Sequence, residues 1–400
     1  MPTRVPEDER AFRDAVRSHF DARIPDEMRA AAGLMTSVYA RRDVMTHWQR
    51  TLHEKGWGAP AWAPEHGGCD WSPAQHFIFA EEKARAGAPP FLSLSVVMCG
   101  AVLIAFGTPE QKRRFLPRMI SGEDYWCQGY SEPGAGSDLA ALSLRAEADG
   151  GDLVCNGSKI WTSHAHEADW MYALVRSTPG SRAQDGITFL LVDMRSSGIE
   201  VKPIVFLTGE HIQNEVIFRD VRVPLDNVVG TPGKGWTVAK YLMEFERGGQ
   251  LGSPEYAARL DRIAVFAREV GVNDTAFVAR LAAARIDLSA LRALEWRDLC
   301  VRTGSPGTNS SMLKMLGTEL SQRLTELALE ASGYGAMPYQ PGLTTPGGNT
   351  PWAVSAMTPP AAAPAAAAFA LRYFNDRAGS IYAGSNEIQR NILAKRQLGL

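Results

Sequence analysis

The first third of the chain carries apolar residues at the period of an amphipathic helix. In "DERAFRDAVRSHF", Phe12, Val16 and Phe20 fall on one face. "SPAQHFIFAEEKARAG" opens on Ser72 and Pro73 and ends at Gly87, the start and stop residues of a helix. "TPEQKRRFLPRMISGE" opens the same way on Thr108 and Pro109, and Gln111 completes a capping-box spacing. The apolar run "PPFLSLSVVMCGAVLIAFG" is interrupted by Gly100 and rich in small residues, so it reads as a buried helix and not as a membrane span.

The period changes near Tyr125. Short β-rich runs alternate with turns: "LSLRAEADGGDLVCNGSKIWTS", "ADWMYALVRS", "GITFLLVDM", "IEVKPI" and "NEVIFRDVRVP". Gly150–Gly151 and Asn156–Gly157 predict turns, the second a hairpin leading into Trp161. Many short strands so punctuated argue for a sandwich or barrel. From Gly235 the helical period returns, through "WTVAKYLMEFERGG" and "EYAARLDRIAVFAREVG" to two longer segments. A stretch rich in Pro, Gly and Ala follows, an ordered surface excursion or a mobile loop. The chain closes on a helix, "NEIQRNILAKRQLGL". The predicted architecture is α+β and multidomain. It comprises an N-terminal α-helical domain (1–122), a middle β-barrel domain (123–234) and a C-terminal antiparallel four-helix bundle (235–400), with the excursion at 338–368.

Composition narrows the function. The chain has 400 residues, enough for two to four domains at roughly 100–200 residues each, and 45% are hydrophobic. A formal charge of −2, with the signs interspersed, gives no basic face for nucleic acid. No apolar run approaches a membrane span and no secretory pattern opens the chain. Five scattered cysteines without a C-x-x-C suit a reducing compartment, and a cytoplasmic location is expected. His164 and His166 in "SHAHE" lack a further ligand cluster nearby, so they read as solvated loop histidines and no metal site is predicted.

Three stretches hold candidate chemistry. "WCQGYSEPGAGSD" is a loop whose glycines, Gly134 and Gly136, free backbone N–H groups between Ser131 and Ser137. It suits an anionic or polar ligand and serves equally as a plain turn. "NGSKIWTS" sets Trp161 beside Thr162 and Ser163, a stacking face with polar contacts for a flat heteroaromatic ligand. The same tryptophan fits a β-domain core. In "WTVAKYLMEFERGG", Val238, Tyr241, Leu242 and Phe245 form an apolar stripe, and Lys240, Glu244 and Arg247 lie on the polar side. Glu246 falls at the edge of the apolar face, where partial desolvation raises a carboxylate's pKa toward the range of a general base. A salt-bridged Glu-Arg pair on a helix surface is the other reading.

At this order and spacing, "SEPGAGSD", "NGSKIWTS", "VRVPLDNVVG", "GKGW" and "IYAGSNEIQRNILA" resemble the acyl-CoA dehydrogenase family, and "GWGAPAWAPEHGG" is similar too. The resemblance covers nearly the whole chain. It is strongest to bacterial members such as the larger subunits of pimeloyl-CoA dehydrogenase-type enzymes. It implies FAD in a cleft between the barrel and the C-terminal bundle, with an acyl-CoA thioester against the flavin. A carboxylate takes the α-proton while the β-hydride passes to flavin N5, leaving a trans-2-enoyl-CoA, and an electron-transfer flavoprotein accepts the electrons. By position, Gln128, Tyr130 and Ser131 line the isoalloxazine, and Trp161 and Ser163 meet its other edge. Gly384, Ser385 and Glu387 approach FAD from the C-terminal loop. Ser137, Arg247, Tyr382 and Ala383 are implied on the substrate side.

In many members the residue after the tyrosine of "IYAGSNEIQR" is a glutamate, the catalytic base. Here it is Ala383, which keeps only a backbone N–H for the enolate oxygen. Isovaleryl-CoA dehydrogenase-like members carry the base on the helix that matches "FERGG", directly before an arginine. The resemblance therefore implies Glu246 as base. The family's Arg-x-x-Phe-Gly and Gln-x-x-Gly-Gly-x-Gly segments, by which one subunit completes another's cofactor site, are replaced by "SPEYAARLDRIAVF" and "LEASGYGA". A homo- or hetero-oligomer is expected. The alternatives are a non-catalytic or half-site partner subunit, a flavin oxidase, and an enzyme acting on a carrier-protein thioester. Gly248, Gly249 and Gly252 leave room for a bulky acyl group or serve helix packing.

Overall fold

A computed structural model describes residues 9–248, 250–301, 307, 309–353 and 361–400. Gly249 and residues 354–360 of the excursion lie outside the described residues.

The N-terminal region holds α1 (Arg10–Arg23), α2 (Asp26–Gly33), α3 (Arg42–Glu54), α4 (Pro73–Ala86), α5 (Gly100–Phe106) and α6 (Pro109–Ser121). Val16 and Phe20 of α1 pack with Trp48, Leu52 and Phe79, as the periodicity predicts. Ser72 and Thr108 each accept from the backbone N–H three residues on, and Gln75 and Gln111 reach back to complete capping boxes. The run around Gly100 is helical and buried, but its first part, Ser93–Cys99, is a π-helical turn leading into α5.

The middle region is one sheet of eight strands: β1 (Trp126–Gly129), β2 (Arg145–Asp149), β3 (Asp152–Lys159), β4 (Trp170–Arg176), β5 (Ile187–Asp193), β6 (Ile199–Val205), β7 (His211–Pro224) and β8 (Val228–Val229). The order is β6-β7-β3-β2-β4-β5-β8, and β1 pairs with β4 in parallel. β4 and β5 are buried on both faces. Met171, Ala173 and Val175 face an inner core shared with Val216, Phe218 and Val221 of β7. Tyr172, Leu174 and Phe189 face outward onto the helices. The sheet thus curls round its own core in the manner of a barrel, and its described ladder ends at β6 and β8.

One strand expectation is corrected. Gly150–Gly151 is the β2–β3 turn, but Asn156–Gly157 is not a hairpin. It lies inside β3, where the register against β7 shifts between Cys155 and Gly157. The Asn156 side chain donates to Asp220 Oδ1 and accepts from the Asp220 N–H, so it serves a bulge instead of closing a turn.

The C-terminal region holds α7 (Gly235–Gly248), α8 (Ser253–Glu269), α9 (Thr275–Val301), α10 (Asn309–Ser332), α11 (Pro364–Asp376) and α12 (Asn386–Leu393). Helices α8 to α11 share one core around Ile263, Phe277, Leu291, Leu320 and Leu324. The predicted excursion is shorter than its composition suggested, because α11 begins at Pro364 and buries Ala366 to Ala368. Its described part is tied down within the chain. Thr345 N–H donates to Leu34 O (2.9 Å) and His211 N–H to Asn349 O (2.7 Å).

The core of Trp62, Val102, Phe115, Trp126, Tyr172, Phe189, Val238 and Leu242 joins all three regions. α7 thereby lies between the outer sheet face and the bundle.

Candidate active site

The first part of the site is built where β1 ends. Glu132 is buried, and its carboxylate accepts from the Ser143 N–H (2.6 Å), the Leu144 N–H (3.0 Å) and Lys159 Nζ (2.7 Å). Lys159 Nζ also donates to Tyr130 O (3.2 Å), and Ile160 N–H to Ser131 O (2.9 Å). The two motif stretches are thus bolted together by a buried ion pair and a backbone hydrogen bond. Tyr130 packs edge-on against Tyr172 and Phe189. Trp161 has φ +59° and is 56% exposed, while Thr162 next to it is buried. Ser163 Oγ accepts from Gln213 Nε2 (2.8 Å) and lies 3.4 Å from Tyr39 Oη. Ser137 is exposed on the loop beyond.

The second part is α7 with the loop before α12. Val238, Ala239 and Leu242 hold the buried face of α7. Glu246 is half-buried on α7, with the polar Gln128 side chain of β1 acting on its carboxylate. Burial pushes the Glu246 pKa up, while the charges of Arg247 and Lys314 and the polar Gln128 side chain act in the opposite direction. Tyr39, Tyr130 and Tyr172 all feel the Glu246 charge.

Arg247 corrects its predicted place on the polar side. It turns inward, and its Nε donates to Ala383 O at 3.2 Å. Gln389 Nε2 also donates to Ala383 O (3.1 Å), and Lys314 Nζ to Gly384 O (3.0 Å). Ala383 and Gly384 sit at φ +57° and +77°, so two consecutive left-handed residues form this bend. Its carbonyls are gripped, and among the described residues the Ala383 N–H has no acceptor. Ser385 caps α12 through the Ile388 N–H, and Glu387 is exposed in the first turn. Gly384, Ser385 and Glu387 make no described hydrogen bond to the β1–β3 segments, so this part of the prediction is not assembled within one chain.

The histidines are also corrected. His164 is buried at φ +53°, with Nδ1 2.5 Å from Tyr125 Oη and Nε2 2.9 Å from Gly347 O. His166 stacks on His211 at 4.0 Å. Burial holds both pKa values down at about 4. They knit the excursion to β7, and no group of three metal-ligating side chains occurs among the described residues.

Tyr130 Oη, Thr162 Oγ1, Gln213 Oε1 and Gln389 Oε1 are buried without a partner among the described residues. Buried polar atoms are seldom left so. Of these, Thr162 adjoins the exposed Trp161 and Gln213 holds Ser163, and a flat ligand with a polar edge, such as a flavin, fits that pair. Sequence reasoning missed Glu132, Lys159, Gln213, Tyr39 and Lys314. Lys159 was detectable as the lone base of the second stretch and Glu132 as one of two acids in the first; the others carry no local signal.

A helical region, a curled sheet and a helical bundle, joined by one core at α7, define the fold of a flavin-dependent dehydrogenase class. The chain matches the acyl-CoA dehydrogenase N-terminal domain over residues 6–123, the middle domain over 127–221 and the C-terminal domain over 233–398. It is 40% identical to acyl-CoA dehydrogenase IpdE1 of Mycobacterium tuberculosis over 357 residues, 88% of this chain and 87% of that protein. Among solved structures, the Tcur3481–Tcur3483 steroid ACAD matches with TM-score 0.82 and 28% identity, covering 100% of this chain and 99% of that one. The ChsE4–ChsE5 complex from Mycobacterium tuberculosis matches with TM-score 0.80 and 27% identity, at 100% and 99% coverage. The chain belongs to the acyl-CoA dehydrogenase family, flavin-dependent oxidoreductases acting on CH–CH bonds. No described helix is long and apolar enough to cross a membrane.

Proposed function

We propose that this chain dehydrogenates an acyl-CoA to the trans-2-enoyl thioester with FAD as cofactor and Glu246 as base. The observation that carries this is a half-buried Glu246 directly before Arg247, whose side chain holds an Ala383 that has no carboxylate. Glu246 sits one residue from Arg247, which grips Ala383. An α-proton next to a thioester is far less acidic than a carboxylic acid, so the enolate oxygen needs preorganised donors. The unengaged Ala383 N–H is one, held in place because its carbonyl is anchored. Desolvation strengthens Glu246 as a base, and the Arg247 charge keeps it ionisable.

Gln128, Tyr130, Ser131, Trp161 and Ser163 would hold the isoalloxazine of FAD, which would supply the hydride acceptor. Gly384, Ser385 and Glu387 would meet FAD across a subunit contact, and Ser137 would touch the pantetheine arm. A hetero-oligomer is supported by the missing cross-subunit segments and by the two-protein complexes among the structural neighbours. A bulky polycyclic acyl group is supported by the steroid enzyme among those neighbours. An electron-transfer flavoprotein would accept the electrons, in a cytoplasmic setting.

The test is anaerobic bleaching of the purified flavoprotein by a panel of acyl-CoAs, with and without a co-expressed sister subunit, and chromatography of the released flavin. FAD and substrate-dependent bleaching are expected. FMN, or no flavin in either preparation, would overturn the reading.

A further inference from the structure

A cavity of about 720 Å³ lies between α7 and helices α4, α5, α8, α10 and α11. Tyr241, Phe245 and Gly248 of α7 form one wall, and Tyr382, next to Ala383, joins them. Phe79, Phe91, Val97 and Ile104 line it with apolar surface. That size and lining suit a large, mostly apolar organic group.

The remaining wall is charged and unbalanced. Lys83, Arg259, Arg262 and Arg372 line the cavity against only Glu255 and Asp376. Asp376 is shared, 3.1 Å from Arg259 Nη2 and 2.7 Å from Arg372 Nε, and it also accepts from Ser321 Oγ (2.6 Å). Glu255 lies 3.5 Å from Arg262. Lys83 has no carboxylate within ion-pair distance among the described residues. Its ammonium lies 4.9 Å from the centre of the Phe91 ring, and burial holds its pKa down against the opposing charge of Glu255. A cation in such a place is costly without a partner, and an occupant of the cavity is positioned to provide one.

We propose that this cavity receives the far end of the acyl group, and that Lys83 and the arginines beside it select an acyl group ending in an accepting oxygen, a carboxylate or a ring carbonyl, over one ending in methyl. This rests on the dehydrogenase reading above. The apolar walls take the body of the acyl group and the cationic wall takes its oxygen. Charge-assisted hydrogen bonds then set the preference.

The experiment compares three thioesters on the FAD-loaded enzyme, in its native assembly: octanoyl-CoA, the mono-CoA thioester of octanedioic acid, and the thioester of a cyclohexanone-bearing acid. Flavin reduction gives kcat/KM, and calorimetry with the matching unreactive CoA thioethers gives binding. Either oxygen-bearing ligand should be preferred over octanoyl by about tenfold to a hundredfold, the span of a charge-assisted hydrogen bond. The larger of the two preferences tells a carboxylate from a neutral carbonyl. Lys83→Met should reduce the preference about tenfold, and Lys83→Arg should retain most of it. Equal handling of all three ligands by a working enzyme, or an unchanged preference in Lys83→Met, overturns this inference alone. An enzyme whose flavin no acyl-CoA reduces overturns the dehydrogenase reading, and this inference with it.

Discussion

Arg247 Nε donates to the carbonyl oxygen of Ala383 at 3.2 Å, so the helix carrying Glu246 and the bend beside it are one mechanical unit. Arg247 also lowers the Glu246 pKa through its charge. Arg247→Met keeps the stem and removes both effects. The Ala383 carbonyl keeps Gln389 as a donor, so the loss of stability should be modest, about 0.5–1.5 kcal/mol for one hydrogen bond. The pH at which flavin reduction reaches half its maximum should move upward. Thermal unfolding and a pH–rate profile check the two parts separately.

Glu246→Gln should keep the fold and FAD, and lose flavin reduction by roughly 10²–10⁴-fold. In the parent, the rate should rise with pH through the raised pKa of Glu246, because only the ionised form accepts a proton. Stability runs the other way. The folded protein holds this proton more tightly than the unfolded chain, so the contribution is full below the ordinary carboxylate pKa and is lost as pH rises through the raised value. Both dependences should vanish in Glu246→Gln. Denaturant midpoints across that pH window, with stopped-flow reduction, test the pair. A parent-like reduction rate in the variant would remove Glu246 from the mechanism.

Lys159→Met strands the Glu132 carboxylate, which keeps its two backbone N–H donors but loses its counter-ion. Breaking one side of a buried pair costs about 3–5 kcal/mol. Because this pair joins the β1 loop to the Trp161 stretch, FAD should be lost with the stability. Calorimetric unfolding and the flavin content of the purified variant measure both.

Gly347→Ala tests the excursion. A Cβ there would meet Ser37 Oγ at 2.3 Å and Tyr39 O at 2.6 Å, so the segment that sets Tyr39 against Ser163 must move. Overpacking of this kind costs about 1–3 kcal/mol. FAD affinity should fall too, read by fluorescence titration of the apoprotein. An unchanged affinity would mean that the excursion and the flavin side are independent.

The order of regions was legible because each follows a local period: Phe12, Val16 and Phe20 share a face for reasons contained in α1. The capping boxes at Ser72 and Thr108 are local too. The half-buried position of Glu246 on α7 was legible from its place on a helical stripe. What escaped depended on contacts that no window contains. Asn156–Gly157 has the composition of a hairpin turn, yet its partner is Asp220 on β7, and pairing across the sheet overrides turn chemistry. His164 looks like a loop residue until Gly347 and Tyr125 close on it. Arg247 is polar by the helical wheel and inward by virtue of the Ala383 carbonyl, which exists only once the C-terminal loop folds back.

Ala383→Glu offers the closing test, because it asks whether the site tolerates either location for the base. Ala383 already occupies a left-handed conformation at φ +57°, so a larger side chain there adds little backbone strain beyond what alanine bears. Its carbonyl stays held by Arg247 and Gln389, and its N–H stays free. The new carboxylate would start one residue from Tyr382, on the same bend that relatives use for the base. Introduced into Glu246→Gln, it should recover part of the lost flavin reduction. Introduced into the parent, it places two carboxylates near one substrate carbon. Like charges in a desolvated site raise one pKa strongly, so the double-acid enzyme should require a higher pH for full rate than the parent. Recovery in the first background together with an upward pH shift in the second is the expected pair of outcomes. Recovery without the shift would mean that the two carboxylates never approach each other, and that Glu246 lies outside the reaction centre.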